Sequence, residues 1–230
     1  MMDNYIVQGY ESDKNRINKK IVLCLSGGFD STALLFYYVA KYGEKRIFPV
    51  YFHYGQKNRT WELYAVGKAL GYVYCKHPLQ HFVLPIPDDM KSGIINSESS
   101  KDQFDEPDFF MPNRNALMLS IAFMYATTIG ATTVGFGAVS AEHNYPDDTI
   151  NFYKAFNNAM TLSLKGQVSL ETPFILRDKR KIYNLFESPE RHFLKEISYS
   201  CGNGSETVHS WGRGCGVCSD CKSRMFMGDK

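Results

Sequence analysis

Short apolar runs alternate with longer stretches of helical periodicity through the first 140 residues of the chain. The apolar runs, which favour buried strands, lie at residues 21–25, 47–54, 73–75 and 132–136. The helical stretches lie at residues 30–42, 59–70 and 115–128. Such alternation is typical of a parallel sheet with helices on both faces. We therefore predict an α/β fold with a doubly wound parallel sheet.

A polar, glycine-rich turn follows the first predicted strand. Residues 26–32 read Ser-Gly-Gly-Phe-Asp-Ser-Thr and lead into a predicted helix. Glycines let backbone N–H groups come close to an anion, and a helix N-terminus adds donors and a positive dipole end. Ligands of doubly wound sheets bind at the carboxyl ends of strands. The turn therefore predicts a phosphate-binding site.

This turn differs from two common nucleotide-binding patterns. It has no lysine, so it is not a Walker A loop, and its glycines do not fit G-x-G-x-x-G. The alternative to a phosphate site is a structural strand-to-helix turn, in which Asp30 only caps the helix.

Composition narrows the class of protein. The chain has 230 residues, 44% of them hydrophobic, which is enough for one domain with a small appendage. Its net charge of +2 gives no case for nucleic-acid binding. No apolar run is long enough to cross a bilayer, and residues 1–20 are polar and lack a secretory signal. We expect a cytoplasmic protein without membrane association.

The chain divides into three predicted parts. Residues 1–20 are an N-terminal extension, residues 21–195 the nucleotide-binding domain, and residues 196–230 a small metal-binding module rich in Gly, Ser and Cys. Within the second part, residues 85–112 are rich in Pro, Asp, Glu and Ser, which is typical of a long surface loop. That loop is either a mobile active-site flap or an insertion without a role.

Four cysteines predict a metal site. Cys215, Cys218 and Cys221 follow each other at C-x₂-C-x₂-C spacing, and Cys201 lies upstream. Thiols of a cytoplasmic protein are reduced, and four convergent thiolates suit a structural, tetrahedral zinc ion. An iron–sulfur cluster is the alternative, since four cysteines also hold iron.

Three other residues have simpler expected roles. Cys24 and Cys75 stand alone in apolar runs and are expected to pack as small hydrophobes. His209 lies between the predicted ligands and is an alternative fourth ligand, although an exposed loop position is the simpler interpretation.

Four motifs in order resemble the 7-cyano-7-deazaguanine synthase family of PP-loop ATP pyrophosphatases. They are the turn at 26–32, residues 54–57 (Tyr-Gly-Gln-Lys), residues 112–115 (Pro-Asn-Arg-Asn) and the C-terminal cysteine run. The resemblance spans residues 21–224. Local matches support it at residues 145–147 (Tyr-Pro-Asp), at residues 173–175 (Pro-Phe-Ile, matching a late strand), at Lys179 at a helix start, and at Ser200-Cys201.

The resemblance implies an ATP-dependent carbon–nitrogen ligase. Its substrates are 7-carboxy-7-deazaguanine, ammonia and ATP with Mg²⁺, and its product is the nitrile, formed through an acyl-adenylate and an amide. The carboxylate needs activation because its own leaving group is too poor for attack by ammonia. AMP and pyrophosphate are released. The resemblance also implies one structural zinc per chain and a homodimer, for which the 16 Phe and 15 Tyr offer interface area.

The resemblance also implies roles for individual residues. ATP is bound by Ser26, Gly27, Gly28, Phe29, Asp30, Ser31, Thr32 and Lys57. Asp30 is a candidate magnesium ligand, Lys179 neutralises phosphate oxygens, and Arg114 contacts phosphate or the substrate carboxylate. We expect Asp30 and Lys179 at the rim of the strand-end crevice. The substrate-binding residues are Arg114, Tyr145, Asp147 and Phe152.

Each of these residues also has an ordinary structural alternative. Lys57 and Lys179 are alternatively solvated surface charges, and Arg114 an ordering element of the loop before its helix. Tyr145 and Phe152 are alternatively core aromatics.

The chain departs from the family pattern near the substrate end. Asp148-Thr149 stand where the family has Cys-Arg, Leu176 stands where it has Asp, and thirteen residues separate Cys201 from Cys215. The alternatives are therefore a PP-loop ligase that stops at the amide or acts on another carboxylate or a tRNA base, a related phage or defence protein, and a nucleotide-binding subunit without activity.

Overall fold

A five-stranded parallel sheet forms the centre of the computed structural model, which describes residues 19–86, 111–139 and 145–228. The strand order is β3-β2-β1-β4-β5. The strands are β1 (Ile21–Cys24), β2 (Ile47–His53), β3 (Gln80–Val83), β4 (Thr133–Gly135) and β5 (Ser169–Glu171). The predicted N-terminal extension and the predicted loop at 85–112 lie almost entirely outside the described residues.

Helices connect the strands and follow the sheet. They are α1 (Phe29–Tyr42), α2 (Arg59–Tyr72), α3 (Arg114–Ile129), α4 (Ile150–Ser163), α5 (Lys179–Tyr183), α6 (Ser188–Glu196) and α7 (Ser219–Lys222). A short antiparallel hairpin, β6 (Val208–His209) and β7 (Gly212–Arg213), lies in the C-terminal part. None of the described helices is long and apolar enough to pass through a bilayer.

Both faces of the sheet are covered, because successive side chains of a strand point to opposite sides. Ile21 and Leu23 of β1 pack with the buried residues of α1, α2 and α6. Val22 and Cys24 pack in a second cluster with α3 and with Tyr153 of α4. The predicted doubly wound α/β fold is confirmed, and Cys24 is a buried core residue as expected.

The chain changes direction across the sheet at β1. Strands β2 and β3 extend the sheet on one side of β1, and β4 and β5 extend it on the other. The helices that leave β1 and β4 therefore lie on opposite faces, which opens a crevice at the carboxyl ends of these two strands. Ligands of doubly wound folds bind at this switch point. The turn at residues 26–32 begins there.

Two predicted strands were wrong. Residues 73–75 form the turn after α2, where Tyr74 has a φ of 52°, a left-handed conformation that does not continue a strand. The third strand is Gln80–Val83, which pairs with β2. Residues 173–175 also form a turn, in which Arg177 N donates to Phe174 O at 2.8 Å. The late strand lies earlier, at Ser169–Glu171.

The C-terminal part shares the core of the sheet. Tyr199, Trp211 and Met227 are buried in the same hydrophobic cluster as β1 and α1. A segment this small buries little apolar surface alone, so packing against the larger part contributes to its stability. The division at residues 195 and 196 stays a prediction.

Gly27 allows the closest backbone approach in the turn. Its φ is +80°, and a Cβ there would lie 2.5 Å from the carbonyl oxygen of Glu62 at the start of α2. Gly130 at the end of α3 offers a comparison, since its φ is +65° and a Cβ there meets nothing within 4 Å.

We predict that Gly27→Ala lowers the free energy of unfolding by on the order of 3 kcal/mol, because strain and a backbone clash add. Gly130→Ala should cost only about 1 kcal/mol, the conformational part alone. Urea denaturation of both variants measures the difference. Equal losses of unfolding free energy in the two variants would show that the backbone around Gly27 and Glu62 can move apart without cost, which would contradict this prediction.

Candidate active site

A cavity of about 260 Å³ lies at the carboxyl ends of β1, β2 and β4. Its wall contains the turn after β1, the loop after β2, the first turn of α3 and the segment before α4. Lys179 of α5 and parts of the C-terminal module complete it. The structure therefore gathers most of the residues predicted for the site around one space.

Serine hydroxyls hold the turn in shape. Gly28 N donates to Ser26 Oγ at 3.3 Å, and Ser26 Oγ lies 3.1 Å from Ser31 Oγ. Phe29 N donates to Ser200 Oγ at 3.1 Å. These are neutral acceptors that can rotate, whereas a phosphate oxygen is a charged and stronger acceptor. The turn can exchange these hydroxyls for an anion.

Lys179 faces the turn from α5. Its Nζ lies 3.7 Å from Asp30 Oδ2 and donates to Ser223 Oγ at 2.8 Å. The side chain is only 2% exposed although it lines the cavity, so Lys179 lies inside the crevice and not at the predicted rim. The difference arises because the C-terminal segment covers the start of α5. A cation in this position meets the anionic end of a ligand with little screening by water.

Gly137 after β4 supports the turn and was missed by the sequence analysis. A Cβ at Gly137 would lie 2.9 Å from the carbonyl carbon of Asp30 and from Ser31 N. The loop after β4 therefore packs directly on the first turn of α1. The signal in the sequence is a glycine directly after the predicted strand at residues 132–136, in Gly135-Phe136-Gly137.

The motif at residues 54–57 contributes Gln56. Gln56 Nε2 donates to Glu62 Oε2 at 2.9 Å, to Tyr51 Oη at 2.8 Å and to Phe52 O at 3.0 Å. Tyr51 also donates to Glu62 Oε2 at 2.7 Å. Burial raises the pKa of Glu62, and the hydrogen bonds from Tyr51 and Gln56 oppose this shift. This network fixes the cavity wall between β2 and α2.

Arg114 and two tyrosines form the other end of the cavity. Arg114 Nη1 donates to Tyr54 Oη at 3.4 Å, and its guanidinium lies 5.5 Å from the Tyr54 ring centre. Burial opposes the charge of Arg114, but Tyr54, Asp147 and Asp220 raise its pKa above the ordinary value. Tyr145 also lines the cavity. A planar anionic substrate fits between aromatic rings beside such a cation.

Asp147 anchors a helix. Its carboxylate accepts from Asn115 N at 3.1 Å, and Asn115 Nδ2 donates to Asp147 O at 2.9 Å. Asn113, the residue before α3, makes no side-chain cap, so Asp147 supplies the acceptor instead. In the described part of the chain, six of the predicted site residues are not among those that line the cavity: Gly27, Phe29, Thr32, Lys57, Asp147 and Phe152.

The departures from the family pattern at residues 148 and 149 have structural roles. Thr149 caps α4, where its Oγ1 accepts from Phe152 N at 3.2 Å. Asp148 lines the cavity and accepts a hydrogen bond from Tyr153 Oη at 2.6 Å. Phe152 packs against Phe156 in the core between α3 and α4, with the two ring centres 5.8 Å apart.

The four predicted cysteine ligands converge. The sulfur atoms of Cys201, Cys215, Cys218 and Cys221 all lie within 4.8 Å of one another. Cys215 Sγ and Cys221 Sγ are 3.8 Å apart, and a tetrahedral zinc with bonds of about 2.3 Å requires sulfurs about 3.8 Å apart. Backbone donors stabilise thiolates here, since Cys215 N lies 3.4 Å from Cys201 Sγ and Cys218 N lies 3.3 Å from Cys215 Sγ. The cluster fits a metal ion.

His209 takes a supporting position beside this cluster. Its ring stacks on the Trp211 ring with 4.5 Å between the ring centres, and its Nε2 lies 3.0 Å from Gly214 O. Gly214 leaves room for the sulfur atom of Cys221, because a Cβ at residue 214 would collide with Cys221 Sγ. Within the described residues, the group that can hold a metal contains the four cysteines and not His209.

The cysteine cluster and the turn are in direct contact. Tyr199 N donates to Gly27 O at 2.9 Å, and Asn58 Nδ2 donates to Cys201 O at 3.3 Å. Ser219 and Asp220, between two of the cysteines, line the cavity. A metal ion held by the cysteines would therefore order one wall of the candidate active site.

Comparison with known sequences identifies the family. A sequence model described as "Queuosine biosynthesis protein QueC" matches residues 20–226, nearly the whole chain. The chain belongs to the QueC family. The resemblance inferred from the four motifs is confirmed.

Individual relatives of this QueC-family chain support the same family assignment. It is 31% identical over 210 residues to 7-cyano-7-deazaguanine synthase 1 of Desulfitobacterium hafniense (strain Y51), covering 89% of each chain. It is 28% identical over 216 residues to 7-cyano-7-deazaguanine synthase of Helicobacter pylori (strain Shi470), covering 88% of this chain and 92% of the relative.

A solved structure gives a weaker match. The U34-tRNA thiolase NcsA from Methanococcus maripaludis with its 4Fe-4S cluster has a TM-score of 0.45 and 14% identity. The match covers 80% of this QueC-family chain and 58% of the thiolase. That level of similarity gives no information about the metal held by the four cysteines.

We predict that Cys218→Ser removes the bound metal and lowers the free energy of unfolding by on the order of 3 kcal/mol, because ligation energy is folding energy. Cys75→Ser is the matched control, since Cys75 lies outside the cluster and donates to Ile47 O, a bond that a serine can also make. Elemental analysis and thermal unfolding measure both variants. Unchanged metal content in Cys218→Ser would rule out the predicted ligand set.

We predict a pH effect at Glu62. Its pKa is raised in the folded protein, so its contribution to stability is fully present below the unfolded value of about 4.3 and is lost as the pH rises through the folded pKa. Relative to Glu62→Gln, the wild type should therefore lose stability as the pH rises above the unfolded value of about 4.3. Urea unfolding at a series of pH values measures the difference. If the unfolding free energies of wild type and Glu62→Gln changed with pH in the same way, the raised pKa of Glu62 would be contradicted.

Proposed function

We propose that this QueC-family chain converts 7-carboxy-7-deazaguanine and ammonia to 7-cyano-7-deazaguanine with two molecules of ATP. The observation that supports this most is one cavity that joins the turn at residues 26–31 and Lys179 to an aromatic end with Arg114. The relatives named above are 7-cyano-7-deazaguanine synthases. A phosphate-binding turn next to aromatic rings and an arginine suits the adenylation of a heteroaromatic carboxylate.

The first half of the reaction makes an amide. A substrate carboxylate oxygen attacks the α-phosphorus of ATP, the bond to the β-phosphate oxygen breaks, and pyrophosphate leaves. Ammonia then attacks the acyl carbon of the acyl-adenylate and AMP leaves, which gives the amide and releases a proton. Negative charge grows on the leaving pyrophosphate in the first step, so fixed donors and cations at that position accelerate it.

The second half makes the nitrile. The amide oxygen attacks a second ATP, and pyrophosphate leaves again. The adenylated amide loses one N–H proton to give an imidate, and departure of AMP with loss of the second N–H proton then forms the carbon–nitrogen triple bond. Both ATP molecules use the same groups of the protein, because the displacement at phosphorus is the same in the two halves.

Three residues carry the proposed chemistry. Lys179 neutralises the pyrophosphate, and the Asp30 carboxylate holds both Lys179 and the magnesium ion that accompanies ATP. Arg114 orients the substrate carboxylate at the junction of the two ends of the cavity. The ATP phosphates bind the turn at Ser26, Gly28 and Ser31, which line the cavity. Magnesium supplies charge neutralisation on the phosphates.

The metal of the cysteine cluster is proposed to be one zinc ion. Four thiolates fill a tetrahedral zinc completely and leave no open position for a substrate. Its role is therefore structural, in the ordering of the C-terminal wall. A homodimer remains a proposal from the family resemblance, and a cytoplasmic location remains a proposal from the sequence pattern. We assign no ligand contact to Lys57, Asp147 or Phe152, which do not line the cavity within the described residues.

The direct test is a reaction with purified protein, ATP, Mg²⁺, ammonia and 7-carboxy-7-deazaguanine. We expect mass spectrometry to show the nitrile, with AMP and pyrophosphate as the other products. Accumulation of the carboxamide would identify a ligase that stops halfway. ADP as the main nucleotide product would contradict the proposed chemistry.

We predict that Lys179→Met slows pyrophosphate release about 100-fold or more, because a charge contact to the transition state is lost. Methionine keeps the length of the side chain, so the buried site stays filled. Lys181→Met is the control, since Lys181 is exposed on the same helix and pairs with Asp178. Thermal unfolding of both variants separates lost activity from lost fold. Near-normal release from Lys179→Met would exclude this role.

A further inference from the structure

We propose that Arg224 is the counter-cation of the metal–thiolate cluster, and that its positive charge sets how tightly the four cysteines hold their metal. This inference rests on the proposed metal site and goes beyond the proposed reaction, in which Arg224 has no part. Its starting point is a buried charge. Arg224 is 0% exposed and is the largest fully buried side chain in the described part of the protein. A buried ion is costly unless a charge of opposite sign lies nearby.

Hydrogen bonds account for only part of the Arg224 guanidinium. Its Nη2 donates to Leu194 O at 3.2 Å, to Lys195 O at 3.3 Å and to Ser198 Oγ at 3.2 Å. The two carbonyls belong to the last turn of α6, a helix end that favours a cation. Among the described residues, the buried atoms Nε and Nη1 have no hydrogen-bond partner. The end of α6 therefore explains one nitrogen of the group, and its three acceptors are neutral oxygens that do not balance the charge.

The cysteine cluster lies next to Arg224 both along the chain and in space. Arg224 N donates to Cys221 O at 3.0 Å in the turn after α7. The segment that begins with β7 touches both side chains. A Cβ at Gly212 would lie 3.1 Å from Arg224 Nη2, and a Cβ at Gly214 would collide with Cys221 Sγ. The guanidinium and a ligand sulfur therefore pack against glycines that are only two residues apart.

Electrostatics connect the same groups. Burial lowers the pKa of Arg224, and four anionic groups oppose this shift. In order of their effect they are Cys221, Asp30, Asp220 and Cys201. The first and the last of these are predicted metal ligands, so the cluster acts on Arg224 from two of its four corners.

A bound metal would make this neighbourhood strongly anionic. Four thiolates around one divalent ion leave two negative charges in excess. In a poorly screened interior, a guanidinium stabilises such a charge over several ångströms. Arginine suits the task because it stays protonated and is weakly hydrated. The coupling is reciprocal, since the metal–thiolate cluster also supplies the opposite charge that the burial of Arg224 requires.

Asp30 is the alternative counter-ion, and it already has a cation. Its Oδ2 lies 3.7 Å from Lys179 Nζ beside the turn after β1. The two assignments differ in what the loss of the Arg224 charge changes. If Arg224 serves the cluster, metal retention falls. If it serves Asp30, binding of pyrophosphate at the turn changes and metal retention stays as it is.

The test measures metal retention by the purified, metal-containing protein. The protein is equilibrated with increasing concentrations of a chelator, and elemental analysis gives the metal that stays bound. Arg224→Gln removes the charge but keeps amide donors for the end of α6. We expect it to lose half of its metal at a roughly 30-fold lower chelator concentration than the wild type, since groups behind the ligands typically contribute about 10- to 100-fold to metal affinity.

Arg224→Lys separates charge from hydrogen bonding. It keeps the positive charge and loses the planar group, so we expect its metal retention to stay within about threefold of the wild type. Thermal unfolding of each variant shows whether the fold is retained. If Arg224→Gln does not fold, Arg224→Lys decides the question alone. Retention close to that of the wild type then supports the inference, and a loss of roughly 30-fold overturns it.

Lys222→Gln is the matched control, because it removes a positive charge from an exposed side chain directly after Cys221. Water and salt screen that charge, so we expect metal retention within about twofold of the wild type. A loss as large as that of Arg224→Gln would show that net charge alone matters, which would contradict a specific role of the buried arginine.

Three further outcomes would overturn the inference. Wild-type retention in Arg224→Gln would leave Arg224 as a cap of α6, and equal losses in Arg224→Gln and Arg224→Lys would assign the effect to hydrogen-bond geometry. Unchanged retention with altered calorimetric binding of pyrophosphate would make Asp30 the counter-ion. A wild type that holds no metal would contradict the proposed metal site and this inference together. A wild type that holds metal but forms no nitrile would contradict the proposed reaction and leave the role of Arg224 standing.

Discussion

Close backbone packing around the turn between β1 and α1 is the constraint on which the candidate site depends. Gly27 lies against the carbonyl of Glu62, and Gly137 lies against the backbone of Asp30. Tyr199 N donates to the carbonyl of Gly27 from a third direction. Helix α2, the loop after β4 and the C-terminal segment therefore all meet at the turn. Groups fixed in this way lose little entropy when a phosphate binds, which is the physical basis of preorganised catalysis.

The same contact links the candidate site to the four-cysteine cluster, which could hold a metal ion. The C-terminal segment contributes Ser200 to the turn and Ser223 to Lys179, yet its own strands are only two residues long. A segment with so little secondary structure needs another source of order. Metal ligation by the four cysteines would supply it, because the binding free energy of the ion contributes to folding of the segment that carries the ligands. The stability of the module and the geometry of the cavity are thus linked.

Charges around the cavity are arranged by function along its length. The pair of Lys179 and Asp30 lies beside the phosphate-binding turn, and Arg114 lies beside Tyr54 at the aromatic end. Each cation has an anionic or aromatic neighbour that compensates for its burial, as buried charges require. Two separate cations in one cavity support the proposed reaction, in which two anions combine.

The sequence by itself determined the features that depend on local chemistry. An apolar run, two glycines and a helical pattern at residues 21–42 specify strand, turn and helix within one short segment, and the spacing of Cys215, Cys218 and Cys221 specifies a metal site. Tertiary structure decided the rest. Residues 80–83 and 169–171 form strands because parallel neighbours offer hydrogen bonds in register, whereas residues 73–75 have a stronger apolar signal and no such partner among the described strands. Asp147 and Asp148 are adjacent and chemically identical, so only the path of the chain into α4 settles which carboxylate anchors α3 and which lines the cavity.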